Sequence, residues 1–263
     1  MVISSDKGKI SYSDKGEGQV IVLIHGYLET RKVWDDLSER LAGVCRVITI
    51  DLPGHGESDP RGPVNTMELF ADSVKELLDW LKIKKVFLAG HSMGGYAVLA
   101  FLQLYPGYLS GYSLIHSHPF NDKPAAIEKR KMNIDIVSSG RKDEMIPGFV
   151  ANLYSSINQD KFKKEIERSV SIASCINEDT IIADLRGMME RPSREKLIED
   201  GSLPFLWMLG RNDSHINPDE MLRAVKLPYG SAAVILEHSG HMGFIEEPDK
   251  TAEFIRDFIA NRS

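Results

Sequence analysis

The chain of 263 residues is long enough to bury roughly three quarters of the surface its unfolded form exposes. Its 42% hydrophobic and 27% charged residues exclude a disordered chain and a disulfide scaffold, and a net charge of −6 without a long basic run argues against nucleic acid as a partner. No apolar run reaches the length of a membrane span, the N-terminus carries no leader pattern, and Cys45 and Cys175 have neither redox-pair nor zinc spacing, so the expectation is a cytoplasmic protein with no membrane partner.

Residues 2–5 and 9–13 read as short strands around a hairpin at Asp6-Lys7-Gly8. Residues 20–24 form a continuous apolar run, which suits a strand buried on both faces of a parallel sheet, and the run ends in His25-Gly26. An amphipathic helix is predicted over 30–41. Residues 47–50 repeat the buried-strand pattern before the turn-rich loop Asp51-Leu52-Pro53-Gly54-His55-Gly56. Asn65-Thr66 caps a helix predicted to reach residue 81, with Leu69, Val74, Leu77, Leu78 and Leu81 at helical spacing. A strand at 86–88 leads into Ser92, a helix over 93–105 stops at Pro106-Gly107, and 112–115 is the next strand.

From 117 to 200 the rhythm breaks into polar helices and loops, of which 161–172 is the clearest amphipathic piece. It resumes with a strand at 203–209, a helix near 218–225, a strand at 233–236 and a helix over 248–259. Strands alternating with helices predict an α/β fold: a mostly parallel sheet of about eight strands with helices on both faces. The segment 117–200 is too long for a loop and is predicted to be a helical cap inserted after the sixth strand, over a core of 1–116 and 201–263. In such sheets ligands bind at the carboxyl ends of the strands, where the candidate functional residues fall.

His25-Gly26, Asp51-Leu52-Pro53-Gly54-His55-Gly56-Glu57-Ser58, Gly90-His91-Ser92-Met93-Gly94, Gly210-Arg211-Asn212-Asp213 and His238-Ser239-Gly240-His241 each follow a predicted strand. With these motifs in this order the chain resembles the α/β-hydrolase superfamily, in particular its serine-nucleophile esterases and lipases with a helical cap, over essentially its full length apart from the cap. The resemblance implies a triad of Ser92, Asp213 and His241 in the family's chain order. A serine hydroxyl is a weak nucleophile at neutral pH and needs an imidazole to take its proton, and the acid fixes the tautomer of that imidazole. The glycines at minus and plus two would leave room for a nucleophile on a tight strand-to-helix turn. The amides of Met93 and Tyr27 are the implied oxyanion hole.

Asp122 is a rival acid without a matching motif, and His238 competes with His241. His25, His118, Phe120, Phe149, Tyr154 and Met188 are candidate substrate-binding residues, with packing an equal reading for the cap members and a structural brace the simpler one for His25. His55 reads as a brace, His91 as packing and His215 as a polar loop residue. The histidines show no ligand spacing, so neither a metal nor a cofactor is indicated. The resulting expectation is a serine hydrolase acting on a small or medium carboxylic ester through an acyl-enzyme. An amidase or iminopeptidase and a carbon–carbon bond hydrolase or lyase remain open on the same triad; Glu165, Glu167 and Asp184 are acids that an iminopeptidase could use. A capped-pocket ligand receptor is the alternative outside enzymology.

Overall fold

The computed structural model describes residues 1–260. Eight strands form one sheet in the order β1-β2-β4-β3-β5-β6-β7-β8. They are β1 (Val2–Ser5), β2 (Gly8–Lys15), β3 (Gln19–Ile24), β4 (Cys45–Ile50), β5 (Val86–His91), β6 (Leu109–Ile115), β7 (Phe205–Gly210) and β8 (Ala232–Leu236). β1 pairs β2 and β2 pairs β4 antiparallel, and every other pairing is parallel. The apolar runs explain this layout. β5 and β7 are buried at all six positions, as strands covered on both faces must be.

The core helices are α1 (Asp35–Leu41), α2 (Met67–Trp80), α3 (Met93–Leu104), α9 (Pro218–Ala224), α10 (Gly243–Glu246) and α11 (Pro248–Ala260). The helix predicted over 30–41 is split. Arg31–Trp34 winds as a 3-10 turn, because the Thr30 hydroxyl takes the Lys32 amide and the Asp51 carboxylate takes the Arg31 amide at 2.8 Å, and only then does α1 begin. Thr66 caps α2 by accepting the Leu69 amide, as its sequence position suggests.

Between β6 and β7 lie five helices: α4 (Pro124–Ser138), α5 (Lys142–Ala151), α6 (Lys163–Ser174), α7 (Glu178–Glu190) and α8 (Glu195–Glu199). This insertion touches the core at named points. The His241 amide donates to the Leu153 carbonyl at 2.7 Å. Glu246 Oε1 accepts the Ser155 amide and the Asn158 side chain, both at 2.9 Å. At Gly187 of α7 a Cβ would fall 1.8 Å from the Asn65 carbonyl oxygen, so only glycine allows α7 to press against the start of α2.

The chain leaves β3 for β4 on one side and returns to β5 on the other, so the sheet order reverses between β3 and β5. A crevice at the carboxyl ends of two such strands is where an open sheet holds its ligand. The loops that follow β3 and β5 carry His25-Gly26 and Ser92.

Candidate active site

Ser92 joins β5 to α3 with φ 48° and ψ −112°, a backbone that a residue with a side chain holds only when its surroundings enforce it. The Ser92 amide donates to the Ile115 carbonyl at 3.0 Å, and the Ser92 carbonyl accepts the Ser117 hydroxyl at 2.7 Å. A Cβ on Gly90 would sit 2.2 Å from the Gly94 oxygen, and one on Gly94 2.4 Å from the Ile24 oxygen. The glycines flanking the serine are therefore a packing requirement, since β3, β5 and α3 converge there. α3 starts at Met93, so that amide has no acceptor within the helix.

Asp213 follows β7 and His241 follows β8, and the two meet: His241 Nδ1 lies 2.7 Å from Asp213 Oδ2. A carboxylate oxygen only accepts, so Nδ1 carries the hydrogen and Nε2 keeps its lone pair. Asp213 Oδ1 accepts the amides of His215 at 2.8 Å and Ile216 at 3.1 Å. Burial opposes a charge on Asp213, but His241 and His116 outweigh it and hold the carboxyl well below its ordinary pKa. Burial likewise opposes a charge on His241. The Asp213 carboxylate and its hydrogen bond, reinforced by Glu29 and Glu246, nonetheless leave His241 above its ordinary value.

His116 is fully buried beneath this pair. Its Nε2 accepts the Gly243 amide at 3.1 Å, which leaves the hydrogen on Nδ1, 3.6 Å from Asp213 Oδ2. Burial pushes its pKa down to about 4 in spite of that carboxylate. Ligand atoms of His116, Asp213 and His241 lie within 4.8 Å of one another, yet both Asp213 oxygens already accept N–H donors.

Glu29 has no counterpart in the motifs read from the sequence. Its Oε2 accepts the Gly26 amide at 2.6 Å and lies 3.0 Å from His91 Nδ1, while His91 Nε2 donates to the His241 carbonyl at 2.9 Å. One buried ring thus ties the loop after β3 to the loop that carries His241. Burial works to raise the Glu29 pKa, but His91 and the Gly26 amide bring it below its ordinary value. Glu29 Oε1 has no hydrogen-bond partner among the described residues, and Glu29 lines the cavity beside Ser92. The only trace in the sequence is an acid three residues past Gly26, directly after Tyr27-Leu28.

That cavity measures about 200 Å³ and is lined by Ser92, His241 and Tyr27 from the core. Of the candidates proposed to contact substrate, His118, Phe149 and Met188 line it. His25, Phe120 and Tyr154 do not. His25 is fully buried under the loop, donating from Nδ1 to the Gly26 carbonyl at 2.9 Å and accepting the Leu52 amide on Nε2 at 3.1 Å, with burial pushing its pKa to about 3. The Tyr154 hydroxyl is bonded to Ser169 at 2.9 Å, and Phe120 stacks behind His118 at 6.0 Å. His215 lines the cavity instead, with its ring 5.2 Å from that of His241.

Asp122 does not reach His241. It accepts Arg130 Nε at 2.6 Å and lies 2.8 Å from Arg191 Nη2, and the charges of both arginines keep its pKa low against the effect of burial. Asp184 pairs with His55 at 3.0 Å and is fully buried. His238 is exposed.

A family model described as alpha/beta hydrolase fold matches residues 19–162, more than half of the chain. The chain belongs to the α/β-hydrolase family. The pimeloyl-[acyl-carrier protein] methyl ester esterase of Aeromonas hydrophila is 28% identical to this α/β-hydrolase, over 95% of the chain and 99% of the relative. A thermophilic esterase from Thermogutta terrifontis, solved with malate bound, superposes with a TM-score of 0.94 at 28% identity, covering 100% of this chain and 98% of that one. The enol-lactonase from Burkholderia xenovorans LB400 shares the fold at a TM-score of 0.88 and 19% identity, over 99% of this chain and 100% of its own. This α/β-hydrolase is an enzyme of the esterase-like kind. Among the described residues no helix is long and apolar enough to cross a membrane.

Proposed function

We propose that this α/β-hydrolase cleaves a small carboxylic ester through an acyl-enzyme on Ser92. The observation that carries the reading is the 2.7 Å bond from Asp213 to His241 Nδ1, which leaves Nε2 as a proton acceptor lining the same cavity as Ser92. Ser92 Oγ attacks the ester carbonyl carbon while its proton passes to His241 Nε2, and the carbonyl electron pair moves onto oxygen. The amides of Tyr27 and Met93 hold that oxyanion. As the carbon–oxygen bond to the leaving group breaks, His241 returns the proton to the departing alcohol. Water, deprotonated by His241, then attacks the acyl carbon and releases the acid and Ser92.

The segment 117–200 acts as a cap that closes the cavity over the core. A volume of about 200 Å³ falls below the roughly 300–1,000 Å³ typical of ligand pockets, which favours short acyl chains. The relatives named as esterases support an ester over an amide. The iminopeptidase reading loses Asp184, whose carboxylate is taken by His55 and Asn65.

The test is hydrolysis of p-nitrophenyl esters from acetate to decanoate by the wild type and by Ser92→Ala. Repeated turnover, best on the shortest esters and absent from a folded Ser92→Ala protein, is expected. Equal turnover by both proteins would refute the nucleophile, and a single slow turnover would favour a ligand receptor.

A further inference from the structure

Part of the cavity wall is built from groups that donate hydrogen bonds. Arg130 on α4 lines it, and two of its guanidinium nitrogens are engaged by Asp122, Nε at 2.6 Å and Nη2 at 3.3 Å, which leaves N–H groups free. Arg191 bears on the same Asp122, so two guanidinium charges share one carboxylate. Arg191 lies 2.8 Å from that carboxylate and 3.8 Å from the Tyr96 ring centroid, and its Nε has no hydrogen-bond partner among the described residues. Charge inside a protein is costly unless it is matched, and here one positive charge is left over. Lys129, also on the cavity wall, adds a second.

Two hydroxyls stand beside Arg130. Tyr27 is 7% exposed, lines the cavity, and its hydroxyl has no hydrogen-bond partner among the described residues. His118 Nδ1 accepts the Phe120 amide at 3.2 Å, so His118 Nε2 carries the hydrogen and donates to the Tyr96 hydroxyl at 3.2 Å. The Tyr96 O–H is thereby free to donate into the cavity. Both tyrosines line the same cavity as Arg130. Glu29, which sits beside Gly26 together with Ser92, lines the same cavity and would repel an anion from its own neighbourhood.

We propose that Arg130, Tyr27 and Tyr96 form a subsite for a carboxylate, and that the substrate is a short ester carrying a second, ionised carboxyl group. The proposal rests on the ester-hydrolase reading above and adds the substrate class. Asp122 is the built-in counter-anion: it holds the guanidinium in place while leaving the net charge of the cluster positive. The ester carbonyl lies at Ser92, and the carboxylate points away from Glu29.

The test compares kcat/KM for monomethyl succinate and methyl butyrate, followed by acid release at pH 7. The wild type is expected to favour the half-ester by about ten- to a hundredfold, the worth of a charge-assisted contact. Arg130→Gln should collapse that ratio toward one, and Tyr27→Phe should lower it by a smaller factor. Asp122→Asn should raise it. Because each ratio is taken within one protein, a general loss from a displaced insertion cancels.

Succinate should also inhibit p-nitrophenyl acetate hydrolysis competitively in the wild type and several-fold more weakly in Arg130→Gln at matched ionic strength. A wild-type ratio near one, or the same ratio in Arg130→Gln, overturns the subsite while Ser92-dependent turnover of p-nitrophenyl acetate keeps the hydrolase reading intact. If that turnover does not depend on Ser92 but succinate raises the melting temperature of the wild type and not of Arg130→Gln, the hydrolase reading fails and the anion site stands.

Discussion

Two helices flank the same cavity and differ in almost everything else. α3 contributes Tyr96 to it and buries ten of its twelve residues, whereas α4 contributes Lys129 and Arg130 and buries only Val137 of its fifteen. A helix buried all round is held by packing that tolerates little change, whereas α4 leaves most of its residues exposed or half-buried and meets the fold mainly through α7 and the Arg130–Asp122 pair. The proposed chemistry is thus mounted on the rigid side. The proposed selectivity is mounted on the more exposed side.

The sharpest test of that contrast is on the rigid side. Asp213→Asn should lower kcat on p-nitrophenyl acetate by about 10⁴-fold, because it lets His241 take the wrong tautomer. If activity is retained, Asp213 is not the working acid. Gly94→Ala places a Cβ 2.4 Å from the Ile24 carbonyl oxygen and should cost about 3 kcal/mol in urea unfolding. An unchanged midpoint would mean that the α3 side yields more readily than its packing implies.

Glu29→Gln tests the link between the loop after β3 and the loop that carries His241. His241 must be neutral to accept the serine proton and its pKa lies above the ordinary histidine value, so kcat/KM should rise with pH through a point above about 6.5. Removing the Glu29 charge takes away one of the influences that raise it, and the acid limb should move to lower pH. A limb that stays in place would leave Glu29 as a brace only. The smallest effect is expected on α4, where Lys131→Ala removes an exposed pair with Glu128 and should change stability by no more than about 0.5 kcal/mol in a thermal melt. A larger loss would show that the exposed face of α4 contributes more to stability than its contacts indicate.

The same contrast governs what could be read from the sequence. The strands at the centre of the sheet announce themselves as apolar runs, and Ser92, Asp213 and His241 sit in motifs whose spacing reflects local backbone geometry. His25 was open to two readings because a histidine after a strand can face the cavity or the loop. Its partners, the Gly26 carbonyl and the Leu52 amide, are backbone groups and leave no mark in residue identity. Glu29 and the Arg130-Asp122-Arg191 cluster depend on side chains from distant segments converging, and α4 has no apolar stripe to signal its orientation. The split of the helix at 31–34 turns on Asp51, twenty residues away.

The bonds from residues 153–158 to the loop of His241 have a bearing on traffic through the enzyme. Leu153 holds the His241 amide, and Ser155 and Asn158 hold Glu246, so lifting this stretch like a hinged door would shift His241, the base of the proposed mechanism. In the proposed mechanism, opening there and proton transfer exclude each other. The amide of His215 holds Asp213 Oδ1 on the facing side, so a movement of that loop would disturb the Asp213–His241 pair as well.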